Sequence, residues 1–224
     1  ALTMTGWICP MLLVTAATAA ATLFLVRGAR PLTRKTLRLA GLALPLAVFP
    51  LWGLGAYRAL NFTAAGALAL LEAARLRGGG GSSLLGRLAS PIAKEGEEGG
   101  FSGLSTYFWG AALASLAPGG VGPAVTVMAN LGDSWASMAG AAWGGGRSHL
   151  GKTRAGTAAC LAASLSAGLS FVAAFPGAGV SFFQATLAAA AMTAAERYSP
   201  GEYDNLLAQA AGTVAMVLSA RPPG

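Results

Sequence analysis

Apolar residues in this chain come in blocks of about 20, the length a helix needs to cross the hydrocarbon core of a bilayer. The blocks run roughly over 6–26, 37–55, 57–74, 102–118, 121–143, 156–175, 178–195 and 203–219. Charge is too scarce to cover a water-facing surface: 10% of the 224 residues are charged, against about 25% in a soluble domain. The expected fold is all-α, a polytopic transmembrane helical bundle of about eight spans. It forms one integral membrane domain over residues 1–224, with no soluble domain.

Eight spans put alternate loops on opposite sides. Arg27, Arg30, Arg34, Lys35, Arg38, Arg75, Arg77, Arg87, Lys94, Arg147, Lys152, Arg154 and Arg197 then share one side, with Arg58 and Arg221 on the other. The positive-inside rule makes the crowded side cytoplasmic, or stromal in a plastid, and puts both termini on the non-cytoplasmic side. The net charge of +7 is thus mostly topology; a nucleic-acid-binding face would not alternate loop by loop, so no nucleic-acid partner is expected. Glu72, Glu95, Glu97, Glu98, Asp133, Glu196, Glu202 and Asp204, all the acids present, fall in or beside loops of the same crowded side. Acids do not follow the positive-inside rule, so their clustering places the polar chemistry on one face. The membrane is a prokaryotic inner membrane, or a plastid or endoplasmic reticulum membrane. Homo-oligomerisation stays open.

Smaller features carry less. Cys9 and Cys160 lie in different spans without metal-ligand spacing and read as small buried residues. The Ala-rich first span lacks a basic leader and reads as uncleaved. Asn61-Phe62-Thr63 matches a glycosylation acceptor but sits at the start of a span. Gly79–Ser83 reads as flexible linker, and "SLLGRLASPIAKE" as a short interfacial helix. Abundant Ala, Gly and Ser in the spans predict close helix packing.

The fifth span, "AVTVMANLGDSWASMAGAAWGGG", carries Asp133 within its apolar run. A carboxylate near mid-membrane costs about 2.5–3.5 kcal/mol on insertion scales and is a functional candidate by default. Asn130, Ser137 and Gly140 lie at i−3, i+4 and i+7 from it, a spacing that predicts one polar face, and Ser134 follows it directly. The structural alternative is a polar pair within the bundle.

Next comes "GRSHLGKT", residues 146–153, a literal match to the phosphate-binding pattern G-x-x-x-x-G-K-[ST]. A true P-loop follows a buried strand and opens a helix in an α/β domain; here a membrane span stands where the strand should be. The underlying physics survives that objection. Backbone amides around Gly144, Gly145, Gly146 and Gly151 can converge on an anion, and Arg147, Lys152 and Arg154 can neutralise it. Thr153 or Thr157 can cap the next helix, with Gly156 between them. The plain alternative is a solvated basic loop that sets topology.

Other polar groups sit on the same side. Arg34 and Arg38 are one turn apart beside Lys35, and Glu72 and Arg75 are spaced as a local ion pair. Glu196, Asp204 and Asn205 flank the connection between the last two spans. Asp204 suits a helix N-terminus; with Glu196 it also suits a second metal or substrate group.

"LGDSWASMAGAAWGGGRSHLGKTRAGT" resembles the central motif of the CTP-dependent polyprenol kinase family, which includes dolichol kinase, phytol kinase and CTP-dependent diacylglycerol kinase. The matching positions are Gly132, Asp133, Ser134, Ala136, Ser137 and Gly140, then Gly151, Lys152, Thr153, Gly156 and Thr157. Weaker matches follow in the family's order. Arg34–Lys35 resembles its early basic pair, with Arg38 where the pattern has histidine. Glu72–Arg75 resembles an acid-x-x-Arg element, Lys94–Glu95 the approach to a Ser-Gly helix start, and Asp204–Asn205 the terminal D-N element.

The resemblance implies an enzyme that transfers the γ-phosphoryl group of CTP to a membrane lipid alcohol: phytol, polyprenol, dolichol or diacylglycerol. It implies Mg²⁺ as cofactor, with Asp133 holding the metal or acting as base. Lys152 and Arg154 would take the triphosphate, Glu196 and Asp204 would take metal, and Asn205 would take nucleotide. The motif is distantly similar to that of phosphatidate cytidylyltransferases, but their Lys-Arg…Lys-Asp signature has no counterpart between Glu196 and Gly224. A CDP-lipid-forming cytidylyltransferase is therefore the second reading, and a small transporter or membrane scaffold the third. The last predicts polar residues continuing to the outer face, where Gln184 and Asn61 stand nearly alone.

Overall fold

The computed structural model describes residues 41–77, 99–144, 149–201 and 203–220. Among these residues the regular elements are all helical, as the apolar blocks require. A π-helical turn, Leu44–Val48, leads into α1, Phe49–Arg77. There follow α2, Gly103–Ala114, α3, Val121–Trp143, α4, Arg154–Ala174, α5, Phe182–Tyr198, and α6, Asp204–Leu218. Two runs are long and apolar enough to cross a membrane, Leu44–Arg77 and Arg154–Ala174. The expected span 6–26, the start of 37–55, the linker and the interfacial segment lie outside the described residues.

Three helices are shorter than their apolar blocks: α2, α5 and α6 have 12, 17 and 15 residues. Polar caps set two of the starts, because the first N–H groups of a helix need acceptors. Ser102 accepts from the Ser105 N–H ahead of α2, and Ser181 with Gln184 forms a capping box ahead of α5. The expected break between 55 and 57 lies at Gly53, whose φ of +79° is open only to glycine at low cost. The helix is sharply kinked there. The Phe49 and Tyr57 rings are 6.3 Å apart, whereas eight residues of straight helix rise about 12 Å.

Helices α3 and α4 share the most extensive contact, α5 packs on both α4 and α6, and α2 is held between α1 and α6. The core is built from Val125, Met128, Phe171, Ala185, Met192 and Met216 among small residues. Helices α1 and α2 run antiparallel. Near its start α1 sends Arg58 to the carbonyls of Ser115, Leu116 and Ala117, and near its end Glu72 accepts from the Ser102 N–H. One end of the bundle therefore collects the ends of α1, α3 and α5 and the starts of α2, α4 and α6. Among the described residues Arg58 is the one charged side chain at the far end; the others lie at or towards the charged end.

Candidate functional site

The charged end centres on Lys152. Its Nζ donates to Glu196 Oε1 at 2.5 Å and to Asp204 Oδ2 at 2.7 Å. The lysine arrives from the connection between α3 and α4, Glu196 from the last turn of α5, and Asp204 from the first turn of α6. Their placement is unequal in cost. Asp204 faces the positive end of its helix dipole, but Glu196 lies near unpaired carbonyls at the negative end and needs a cation. Burial pulls the Lys152 ammonium down. The charges and hydrogen bonds of Asp204 and Glu196 outweigh that and hold it above the ordinary lysine range.

This pairing bears on two expectations. Among the described residues no three His, Cys, Asp or Glu side chains gather as a metal site, so Asp133, Glu196 and Asp204 do not form the expected group. Glu196 and Asp204 do come together, on an ammonium rather than a metal. Lys152, expected on phosphate, is their counter-charge, because opposite charges excluded from water pair strongly.

Asp133 is half-buried in α3, between wholly buried Asn130 and exposed Ser137. Accessibility thus rises from Asn130 through Asp133 to Ser137. The predicted polar face is divided between neighbours, however. Asn130 donates to the Tyr107 hydroxyl of α2 at 3.0 Å, Ser134 bonds back to the Asn130 carbonyl, and Gly140 faces Thr153 ahead of α4.

The motif's glycines serve mainly to bring α3 and α4 together. A methyl group on Gly132 would strike Ser164 Oγ, and on Gly156 it would lie 2.9 Å from the Ala136 carbonyl; on Gly144 it would strike the Gly140 carbonyl of its own helix as well as approach Thr153 Cγ2 to 2.7 Å. Gly151 differs, since space around it is open and its φ is +75°. As expected, a threonine caps α4: Thr153 Oγ1 accepts from the Gly156 N–H at 3.0 Å. Thr157 receives Arg197, and Arg154 is exposed. Gly145, Gly146, Arg147, Arg34, Lys35, Arg38 and Glu95 lie outside the described residues.

Glu72 and Arg75 form a buried clamp. Arg75 Nε donates to Glu72 Oε2 at 2.7 Å, a second guanidinium N–H reaches the Gly100 carbonyl, and Glu72 Oε1 holds the Ser102 N–H at 3.0 Å. The next residue, Gly103, gives its carbonyl to Asn205 Nδ2 at 3.0 Å. The clamp thereby fixes the start of α2 against the helix that carries Asp204. Sequence reasoning missed Tyr107 and Gln209, whose Nε2 donates to the Tyr107 carbonyl at 2.9 Å. The available signal was Gln209 four residues after Asn205 in an apolar run, on the same face. Cys160 is buried and unbridged, as expected.

No protein-family model matches this chain, and neither curated proteins nor solved structures give a significant match.

Proposed function

We propose that the chain is an integral membrane kinase, an eight-span bundle that transfers the γ-phosphoryl group of CTP to a lipid alcohol at the cytoplasmic face. The observation that carries this reading is the meeting of Lys152, Glu196 and Asp204 at one end of the bundle. Those three residues lie in two separate segments that resemble the polyprenol kinase pattern or border them, and the resemblance supplies both donor and acceptor class.

The residues present suit a magnesium–triphosphate complex. Glu196 and Asp204 are hard oxygen donors about nine-tenths buried, the kind of ligand magnesium takes, and Asp204 Oδ1 has no hydrogen-bond partner among the described residues. When bound, the metal would offset the charge that builds on the phosphate oxygens. Lys152 and Arg154 would hold phosphate, and positioning with charge neutralisation supplies most of the catalysis. Asp133 lies outside the carboxylate pair, which favours the base role. Its carboxylate would take the proton of the lipid hydroxyl as that oxygen bonds to the γ-phosphorus and the bridging oxygen leaves with CDP. The lipid chain would lie between small-residue helices.

Purified protein with Mg²⁺, CTP and a panel of phytol, farnesol, dolichol and diacylglycerol should give lipid phosphate and CDP. CDP-lipid with pyrophosphate would establish the cytidylyltransferase instead. Asp133→Asn should abolish turnover while leaving the fold intact; unchanged turnover would remove Asp133 from the mechanism.

A further inference from the structure

We infer that Lys152 is a built-in counter-ion that keeps the Glu196–Asp204 pair closed to divalent cations until an anionic ligand draws the lysine away. The inference deepens the kinase reading and rests on it for the identity of the anion, a nucleoside triphosphate.

Three observations carry it. First, Glu196 Oε1 and Asp204 Oδ2 face a single point, occupied by Nζ at 2.5 and 2.7 Å. Second, among the described residues two carboxylates share one ammonium, with side-chain exposures of only 9% and 11%. Their negative charge is poorly hydrated, and the buried Asp204 Oδ1 is an acceptor with capacity unspent among the described residues. The pair is therefore built to take more positive charge than one lysine supplies. Third, Lys152 is carried on the connection ahead of α4 rather than on a helix. Its side chain is a flexible four-carbon stem, and it follows Leu150 and Gly151, both at positive φ, with open space beside Gly151. The carboxylates, by contrast, are fixed on helices packed against each other.

Competition follows from these facts. A divalent ion gains more from two carboxylates than an ammonium does, but it sheds water reluctantly and would have to share the pocket with the resident charge. An arriving polyphosphate changes that balance. It gives the lysine a new anionic partner and leaves the carboxylates exposed to the cation it brings. Metal and anion then bind cooperatively, each raising the affinity for the other by the same factor. Metal alone binds weakly.

The probe is Mn²⁺ alone, titrated into the full chain in detergent, with unbound Mn²⁺ read by electron paramagnetic resonance. Lys152→Met should bind Mn²⁺ at least about tenfold more tightly than wild type, since a like charge in a low-dielectric site has gone. Lys152→Arg should stay weak, and Glu196→Gln should lose binding. A second readout needs no variant. Saturating Mn²⁺ should speed amine labelling of Lys152 several-fold relative to Lys35 and Lys94, measured by peptide mass spectrometry.

Mn²⁺ binding by Lys152→Met no tighter than wild type would overturn the inference. So would saturation by Mn²⁺ with Lys152 labelling unchanged, and this second result decides the matter if the variant does not fold. Neither measurement uses CTP or lipid. Exchange without lipid phosphorylation would keep the switch and remove the kinase; phosphorylation without exchange would do the reverse.

Discussion

Breaking the Glu72–Arg75 clamp from one side should cost far more than removing both partners. Glu72 is fully buried and Arg75 is 8% exposed, and the carboxylate takes two guanidinium N–H groups and the Ser102 N–H. Glu72→Leu removes the carboxylate from a buried guanidinium that still reaches the Gly100 carbonyl. Removing one member of a buried ion pair costs about 3–5 kcal/mol. Glu72→Leu with Arg75→Met leaves no buried charge. What remains lost is the hydrogen bonding of Ser102 N–H and the Gly100 carbonyl, about 1–3 kcal/mol. The double variant should therefore be more stable than the Glu72→Leu single, with a coupling energy of roughly 2 kcal/mol or more. Reversible unfolding of the detergent-solubilised protein, followed by circular dichroism, measures all four corners of the cycle. Additive losses, or a single variant within about 1 kcal/mol of wild type, would refute the reading of this pair as a buried clamp.

Other expectations concern packing, capping and pH. Gly132→Val should destabilise by about 1–3 kcal/mol in the same unfolding assay, because its side chain drives into Ser164 and Cys160. Gly66→Ala, where a methyl group meets nothing within 4 Å, should be neutral or stabilising by up to about 1 kcal/mol. Arg58→Ala removes the donor to three carbonyls past the end of α2; discounted for its partial exposure, the loss should be about 1–2 kcal/mol. The Lys152 pKa is raised in the folded state above its ordinary 10.5. Its contribution to stability is therefore fully present below 10.5 and is lost as pH rises through the higher folded value. Denaturation midpoints should show no Lys152-dependent change between about pH 7 and 9. Above the ordinary value the wild type should lose its advantage over Lys152→Met.

The helices were legible because apolar blocks declare themselves: α3 covers Val121–Trp143, the bounds of its block. The sidedness of charge was legible for the same reason, since it depends only on which loop follows which span. The capping role of Thr153 was readable from its place before a helical run. The partners of Lys152 were not. Glu196 and Asp204 stand 44 and 52 residues away, and only the packing of α4, α5 and α6 brings them within reach. Reading each charge by its own affinity sent lysine to phosphate and acids to metal, and overlooked their attraction for one another. The interior pairs Tyr107–Asn130 and Tyr57–Thr126 were hidden differently. A tyrosine in an apolar run reads as packing until the neighbour that bonds its hydroxyl is known.

Those interior pairs bear on the choice between an enzyme and a conduit. A conduit needs polar groups with capacity to spare along its length and at both ends. At the far end the described groups are largely spent on the fold. Arg58 holds three carbonyls, Gln184 Nε2 donates to the Met216 carbonyl, and the Gly120 N–H donates to the Ala178 carbonyl. The exception is Asn61, whose Nδ2 donates to the Tyr57 carbonyl one turn back while its Oδ1 is buried without a partner among the described residues. If this half of the bundle is only packing, Asn61→Leu loses one local bond and also removes a costly orphan acceptor. Stability should then stay within about 1 kcal/mol of wild type, or rise, since those two terms oppose each other, and lipid-alcohol turnover should be unchanged. A conduit would respond differently. Loss of the one unspent polar group among the described residues of this region would stop flux into proteoliposomes while leaving the fold intact, and that outcome would overturn the one-sided reading.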